Sequence, residues 1–179
     1  MSTWALLLLA ALLPFWVLGA HKRLTTLRQG VHAVWAQIVE QWQCRRTLAA
    51  ALTAALRDPL PDELASFDAL LAALDQALAA TASLSPLQVH HAAADVFAPA
   101  QARCDAALAR LHSLIDLHAE LREQDDLART VAELLSVDQR IAFARQAFND
   151  GAQRYNDALH EFPTRWVARW FDFTQARPI

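Results

Sequence analysis

A heptad repeat of apolar residues runs along the chain between residues 127 and 162. Every seventh residue of this stretch is large and apolar: Leu127, Leu134, Ile141, Phe148, Tyr155 and Phe162. A second row interleaves with the first: Val131, Asp138, Arg145, Ala152 and Leu159. Two such rows are typical of a helix packed along another helix, and here the second row is charged in its middle.

A second heptad pattern runs from Leu24 to Ala55 in two rows. The first row is Leu24, Val31, Ile38, Arg45 and Leu52, and the second is Leu27, Val34, Gln41, Leu48 and Ala55. The pattern is apolar at both ends and polar in the middle, at Gln41 and Arg45. No proline separates it from the apolar residues that precede it. The pattern therefore predicts one continuous helix that stops near residues 58–61, where Pro59 and Pro61 disfavour helical backbone.

Two further helical patterns lie between these seams, one from Leu64 to about Ser83 and one from about Leu87. Pro99 falls inside the second and predicts a kink or a late helix start. The charged run 120–126 predicts the turn into the last long helix. With three glycines and few Val, Ile or Thr, the composition favours an all-α fold. We predict a long antiparallel, coiled-coil-like bundle of three to four helices.

The first twenty residues predict a transmembrane anchor. They carry no charged side chain, and nineteen residues as a helix span about 28 Å, close to the hydrocarbon thickness of a bilayer. The residues assigned to the anchor are Trp4, Leu6, Leu7, Leu8, Leu9, Phe15 and Trp16. The alternative is a signal peptide cleaved after Ala20, although no positive side chain precedes the apolar run.

The basic residues that follow the anchor predict its orientation. Lys22, Arg23 and Arg28 come after the apolar run. Positive charge favours the cytoplasmic side of a membrane span. We therefore expect a single-pass protein of the inner (cytoplasmic) membrane, with its bundle in the cytoplasm; a periplasmic bundle is the alternative.

The chain after Pro163 predicts a short amphipathic tail. Trp166, Trp170, Phe171 and Phe173 alternate with arginines, and the spacing of Trp166 and Trp170 places both on one helix face. This tail either covers the end of the bundle or rests on a bilayer surface as an interface.

Polar residues interrupt both long seams and predict a central polar layer. Its candidate members are Gln41, Arg45, Arg46, Asp138, Arg145, Asn149 and Asn156. Buried charge is costly unless it is paired, so Arg45 or Arg46 is expected to pair with Asp138. Such a layer fixes helix register, or it lines a groove that receives a partner or ligand, or helix rotation exposes it.

The sequence offers no recognisable catalytic or cofactor chemistry. Its seven histidines have no metal-binding spacing, and phosphate loops and nucleophile elbows are missing. The net charge of -3 gives no basis for nucleic-acid binding. Cys44 and Cys104 fit helical patterns as structural thiols. We predict no enzyme activity, no cofactor and no bound metal.

Several short motifs resemble those of the LemA family. At the carboxy end these are Phe148-Asn149, Tyr155-Asn156 and Phe162-Pro163, preceded by the run Asp138 to Ile141. Near the front, Trp35 to Ile38 and Arg45-Arg46 also match, although the family's Pro-Asn segment after the two arginines is absent. The resemblance implies a helical bundle on a single membrane anchor with no established enzymatic activity. Some family members are lipoproteins that face the periplasm.

These patterns divide the chain into an anchor (1–20), a LemA-like bundle (21–163) and an aromatic tail (164–179). The expected function is a non-enzymatic scaffold of the bacterial cell envelope that binds the bilayer through its anchor and a protein partner at the membrane. The alternatives are an accessory subunit of a transport or envelope-remodelling complex and an enzyme that uses the polar layer.

Overall fold

A computed structural model describes residues 3–83, 91–162 and 164–177, with side chains at 15–82, 97–162 and 164–177. Its helices are α1 (Thr3–Leu56), α2 (Leu64–Ser83), α3 (His91–Leu117), α4 (Ala119–Arg122), α5 (Asp125–His160) and α6 (Thr164–Trp170). A 3₁₀ turn at Pro61–Glu63 precedes α2. All regular structure in the described ranges is helical, which confirms the all-α prediction.

Four of the described helices are long, as expected. Of the two short ones, α6 falls in the predicted amphipathic tail, whereas α4 was not foreseen. The short α4 lies inside the charged run that predicted only a turn, because Leu121 is buried there and holds a helical turn against the core. Pro99 lies within α3, which continues through it.

The helix α1 is continuous from the apolar amino-terminal residues into the bundle and ends at Leu56, just before the predicted proline breaker. Its first predicted row, which includes Leu24 and Arg45, is buried throughout. The second predicted row was wrong: Val34 and Gln41 are only half-buried. The row one position further on is buried instead: Trp35, Trp42, Ala49 and Leu56. Two indoles supply more apolar surface than Val34 and Leu48, so the helix turns that face inward.

The described residues form two compact units. The terminal unit contains the chain up to Trp35 and the chain from Gln146 onward. The central unit contains the described residues between Ala36 and Arg145.

In the central unit, α1, α2, α3 and α5 contribute to one helical bundle. Arg46 pairs with Asp75 at 2.9 Å, whereas Arg57, further along α1, pairs with Asp68, which is earlier on α2. The helices α1 and α2 therefore run antiparallel, as predicted. The core is filled by large side chains such as Trp42, whose ring lies 6.0 Å from that of Phe97.

In the terminal unit, α1 runs antiparallel to α5. Arg23 pairs with Glu161 at 2.9 Å, and the Trp35 ring lies 5.5 Å from that of Phe148. A Cβ on Gly151 would meet the Val31 side chain at 3.7 Å, which shows how closely the two helices approach.

The helix α6 ends in a reversal that returns the chain along α5. Asp172 has a φ of 56°, in the left-handed region. The Phe173 N–H donates to the Ala168 carbonyl at 3.0 Å, the bond that closes a Schellman cap. The chain beyond the cap then lies along α5.

One described stretch, Pro61–Ala82, has the length and hydropathy of a membrane span. Phe67, Leu70, Leu74 and Ala77 on it are buried in the central unit, as in the core helix of a bundle. The predicted anchor residues Trp4 and Leu6 to Leu9 lie outside the residues whose side chains are described. The anchor therefore stays a prediction.

Candidate functional site

Arg45 occupies the middle of the α1 seam in the central unit. Among the described residues it is the one buried charged side chain, with 5% of its surface exposed. Its Nη2 donates to Oδ1 of Asp105 at 2.7 Å, and its Nε lies 2.8 Å from Oδ1 of Asp138. Its guanidinium carbon lies 4.9 Å from the centre of the Trp42 ring. The buried cation is therefore held by two carboxylates and an indole face.

The two carboxylates are not equivalent. Burial raises the pKa of Asp138, and this effect outweighs the attraction of Arg45, which lowers it. The negative charge of Asp105 raises the pKa of Asp138 further. Asp105 is half exposed, so its carboxylate is solvated by water as well as paired with Arg45. Asp138 therefore binds a proton more readily than an ordinary aspartate, whereas Asp105 is the better-hydrated partner.

An open groove of about 360 Å³ lies over this ion-pair network. Its polar lining consists of Arg45, Gln101, Asp105, His112, Asp138 and Arg145. Two of these side chains have a buried nitrogen with no hydrogen-bond partner among the described residues: Nε2 of His112 and Nε of Arg145. Nε of Arg45 and Oδ1 of Asp138 are close but not aligned as a hydrogen bond. The groove therefore contains polar atoms that make no hydrogen bond to the described residues.

The structure brings together part of the predicted polar layer. Arg45, not Arg46, pairs with Asp138, and Arg145 lines the same groove. Gln41, one turn before Arg45, is half-buried, and its Oε1 has no partner among the described residues. Arg46 pairs with the exposed Asp75.

The remaining two members of the predicted layer, Asn149 and Asn156, belong to the terminal unit. They were grouped with the central residues because all lie along the same helix seam.

The helix α3 supplies the part of the site that sequence reasoning missed. Gln101, Asp105 and His112 lie at spacings of four and seven residues and share one face of α3. That spacing was the available signal. It was overlooked because Asp105 reads as an ordinary exposed charge beside the apolar Cys104 and Leu108. Cys104 is buried, and burial raises its pKa to about 11.

In the terminal unit, Tyr155 and Asn156 hold the carboxy-terminal segment. The Tyr155 hydroxyl donates to the Thr174 carbonyl at 2.9 Å. The Asn156 amide donates to the Ala176 carbonyl at 2.7 Å and accepts from the Ala176 N–H at 2.8 Å. The second Tyr-Asn motif is therefore a clamp that satisfies the backbone of an irregular segment.

The helix α6 has one buried side and one aromatic side. Thr164, Val167 and Ala168 are buried, so α6 does cover part of the terminal unit. Trp166 and Trp170 are 62% and 80% exposed. With Arg165 and Arg169 they line an open groove of about 690 Å³. We call these four residues the Trp-Arg face.

Two further members of the predicted interface differ in exposure. Phe171 is exposed and Phe173 is half-buried. Both pack against His21 of α1, with ring centroids 4.7 and 5.7 Å from the imidazole. Phe162 is exposed, and Pro163 lies outside the described residues.

The chemistry available at the polar groove is electrostatic. Within the described ranges, no three His, Cys, Asp or Glu residues are placed to hold a metal ion. Of the cysteines, Cys44 is exposed and Cys104 is buried, and they are not joined. The arrangement neutralises a buried cation and presents His112 and Arg145 to a groove.

Comparison with known proteins assigns the family. No curated protein matches the chain. The family model described as the LemA family matches residues 34–178. The match includes both halves of the polar network, Arg45 and Asp138, and the Tyr155-Asn156 clamp. Because the match spans most of the chain, this protein belongs to the LemA family.

Proposed function

We propose that this LemA-family protein is a membrane-tethered helical scaffold that holds a protein partner near a bilayer. The observation that carries the proposal is the continuity of α1, which runs from Thr3 through the apolar amino-terminal residues into the bundle. Phe15 and Leu18 on this helix are 76% and 65% exposed. Lipid would cover these side chains, whose exposure to water is unfavourable.

The polar network fits a structural role better than a catalytic one. Arg45 is occupied by Asp105 and Asp138, and the two carboxylates share that one cation. A buried, paired charge that crosses three helices favours one helix register over others, because a shifted register would leave Arg45 unpaired. We therefore propose that the network serves to fix the register of the helices in the bundle.

The partner surface in this proposal lies on α5 in the central unit. Leu135 is 48% exposed and Phe143 is 75% exposed. They are eight residues apart and share one helix face. Exposed large apolar side chains on a common face are typical of a protein contact.

The tether is tested by fractionating membranes from cells that make the full chain. Leu8→Arg should release the protein into the alkaline carbonate supernatant, because a charge within the apolar segment opposes insertion. The control is Leu117→Arg, which adds the same charge at an exposed apolar residue of α3. Release of the unaltered chain would contradict the tether. A reporter enzyme fused after Ile179 should be active on the cytoplasmic side.

The scaffold is tested by a photo-crosslinking amino acid in the full chain within intact membranes. At Phe143 it should give one defined adduct, and at Glu40, exposed on α1 of the same unit, it should give none. An adduct formed only from Phe15 would favour an accessory subunit whose anchor packs on partner spans. With no adduct at any position, the scaffold proposal fails.

A second candidate, a receptor for a small polar ligand, rests on the groove nitrogens of His112 and Arg145 that have no hydrogen-bond partner among the described residues. Native mass spectrometry of the detergent-extracted chain should then show a bound molecule that Arg145→Met removes. Arg140→Met is the matched control, since Arg140 does not line the groove.

A further inference from the structure

The Trp-Arg face of α6 is exposed on a helix whose opposite side is buried. The exposed indoles Trp166 and Trp170 stand one turn apart, and Arg165 and Arg169 stand beside them at the same spacing. Two indoles in water on one short helix are a large apolar patch for a protein surface. Such a patch indicates a contact with something apolar that also accommodates arginine.

The location of α6 identifies that contact. Phe171 packs on His21, and Glu161 pairs with Arg23, so both flanks of α6 lie beside residues 21–23 of α1. These residues directly follow the uncharged segment that ends at Ala20. Trp16 precedes His21 by five residues, which is about 7.5 Å along a helix. If the apolar segment spans a bilayer, α6 lies at headgroup level.

The charge of this region matches an anionic lipid surface. Arg165 and Arg169 flank the indoles, and Lys22 and Arg28 lie on the adjoining part of α1. Of the neighbouring carboxylates, Glu161 is paired with Arg23, and Asp172 lines a groove with Arg165 and Arg169. The basic side chains outnumber these two carboxylates, so the region carries a net positive charge. Indoles favour the boundary between headgroups and acyl chains, and arginines bind lipid phosphates.

We propose that the Trp-Arg face is a second membrane contact, seated among the headgroups of an anionic leaflet beside the point where α1 leaves the bilayer. This inference rests on the proposed tether. Its occupant is lipid and not a protein, because the face adjoins the apolar segment and combines indoles with two arginines, which outnumber the one carboxylate, Asp172, that lines a groove with them. The contact would fix the tilt of the bundle at the membrane by adding a second attachment to the anchor.

The test uses the full chain in nanodiscs that contain brominated lipid, which quenches indoles within its reach. Trp4→Phe and Trp16→Phe remove the indoles of the anchor region. Trp35 and Trp42, which are buried, supply an unquenched reference. We expect strong quenching in this background, and we expect Trp166→Phe with Trp170→Phe to abolish it.

Charge variants test the lipid specificity. Arg165→Glu with Arg169→Glu should reduce the quenching in discs that contain phosphatidylglycerol. The matched control is Arg140→Glu with Arg154→Glu, two exposed arginines of α5, which should leave the quenching unchanged. Equal quenching in phosphatidylcholine alone, insensitive to Arg165→Glu and Arg169→Glu, would overturn the anionic assignment.

The outcomes separate the two proposals. If carbonate releases the full chain from membranes, the tether itself fails. If the chain is retained but Trp166 and Trp170 remain unquenched and open to aqueous acrylamide, only the second contact fails. Protection of these indoles in native membranes but not in discs would show that a protein covers them, and would overturn the lipid assignment.

Discussion

Replacing Arg45 with methionine removes the cation that lies between Asp105 and Asp138. Methionine fills much of the same space and keeps the contact with Trp42 apolar. The two carboxylates then face each other with no positive partner from α1. We expect a loss of stability that depends on pH, because those carboxylates can escape their repulsion only by binding protons.

The magnitude follows from the pKa of Asp138. A neighbouring arginine lowers a carboxyl pKa by about 1 to 3, and each step of one corresponds to about 1.4 kcal/mol. With 31% of its side chain exposed, Asp138 is partly screened by water. The change to methionine also removes the free-energy cost of burying the charged guanidinium. Both the screening by water and the removal of this burial cost reduce the net loss. We therefore expect the free energy of unfolding to fall by about 2 kcal/mol at neutral pH.

The sign of the pH dependence is fixed by the direction of the pKa change. In the variant, the folded-state pKa of Asp138 rises further above the ordinary value of 3.8. The destabilisation is therefore absent below that value and complete above the raised folded-state pKa. The unaltered protein carries a smaller version of the same effect, because burial already raises the pKa of Asp138.

The assay is thermal unfolding of the full chain in detergent, followed by circular dichroism over a series of pH values. A 2 kcal/mol loss corresponds to a fall in Tm of about 4–8 °C for a chain of this size. The control is Arg46→Met, because Arg46 pairs with the exposed Asp75 and should contribute under about 1 kcal/mol. Equal Tm values for Arg45→Met and the unaltered chain, or a difference independent of pH, would refute the reasoning.

Three further predictions concern other parts of the molecule. Asn156→Ala removes two hydrogen bonds to the carboxy-terminal segment and should cost about 2 kcal/mol, with faster proteolysis of that segment as the readout. Maleimide should label the exposed Cys44 in the folded protein, and mass spectrometry should detect labelling of the buried Cys104 only after unfolding. Trp42→Ala should lower the free energy of unfolding by about 3–5 kcal/mol, whereas Trp166→Ala should change it by under about 0.5 kcal/mol in denaturant titration.

The helical fold was predictable because heptad spacing records which face of each helix is buried. Leu134 and Phe148 on α5 are buried as their spacing predicts. On α1 the row that contains Val34 was predicted to be buried, and this was wrong. The spacing alone does not distinguish that row from the adjacent row, which contains Trp35 and Trp42. Their indoles decide the rotation by their size, a packing effect that a periodic pattern does not contain.

The candidate site was predictable only in part, because the heptad pattern of one helix does not show which other helices pack against it. Asp138 was expected to pair with an arginine of α1 and lies beside Arg45. The second carboxylate, Asp105, comes from α3, and its half-exposed position on that helix resembles any solvated charge. Asn156 was assigned to the same layer, yet its hydrogen bonds go to Ala176, in an irregular segment whose path has no periodic signature.

The central claim, that a membrane tether continues into the bundle, is tested most directly by carbonate extraction of the full chain combined with its intact mass. We expect the chain to stay in the membrane pellet at its uncleaved mass, and to appear in the supernatant when Leu8 is replaced by arginine. A chain found in the supernatant, or a mass that corresponds to cleavage after Ala20, would contradict the claim.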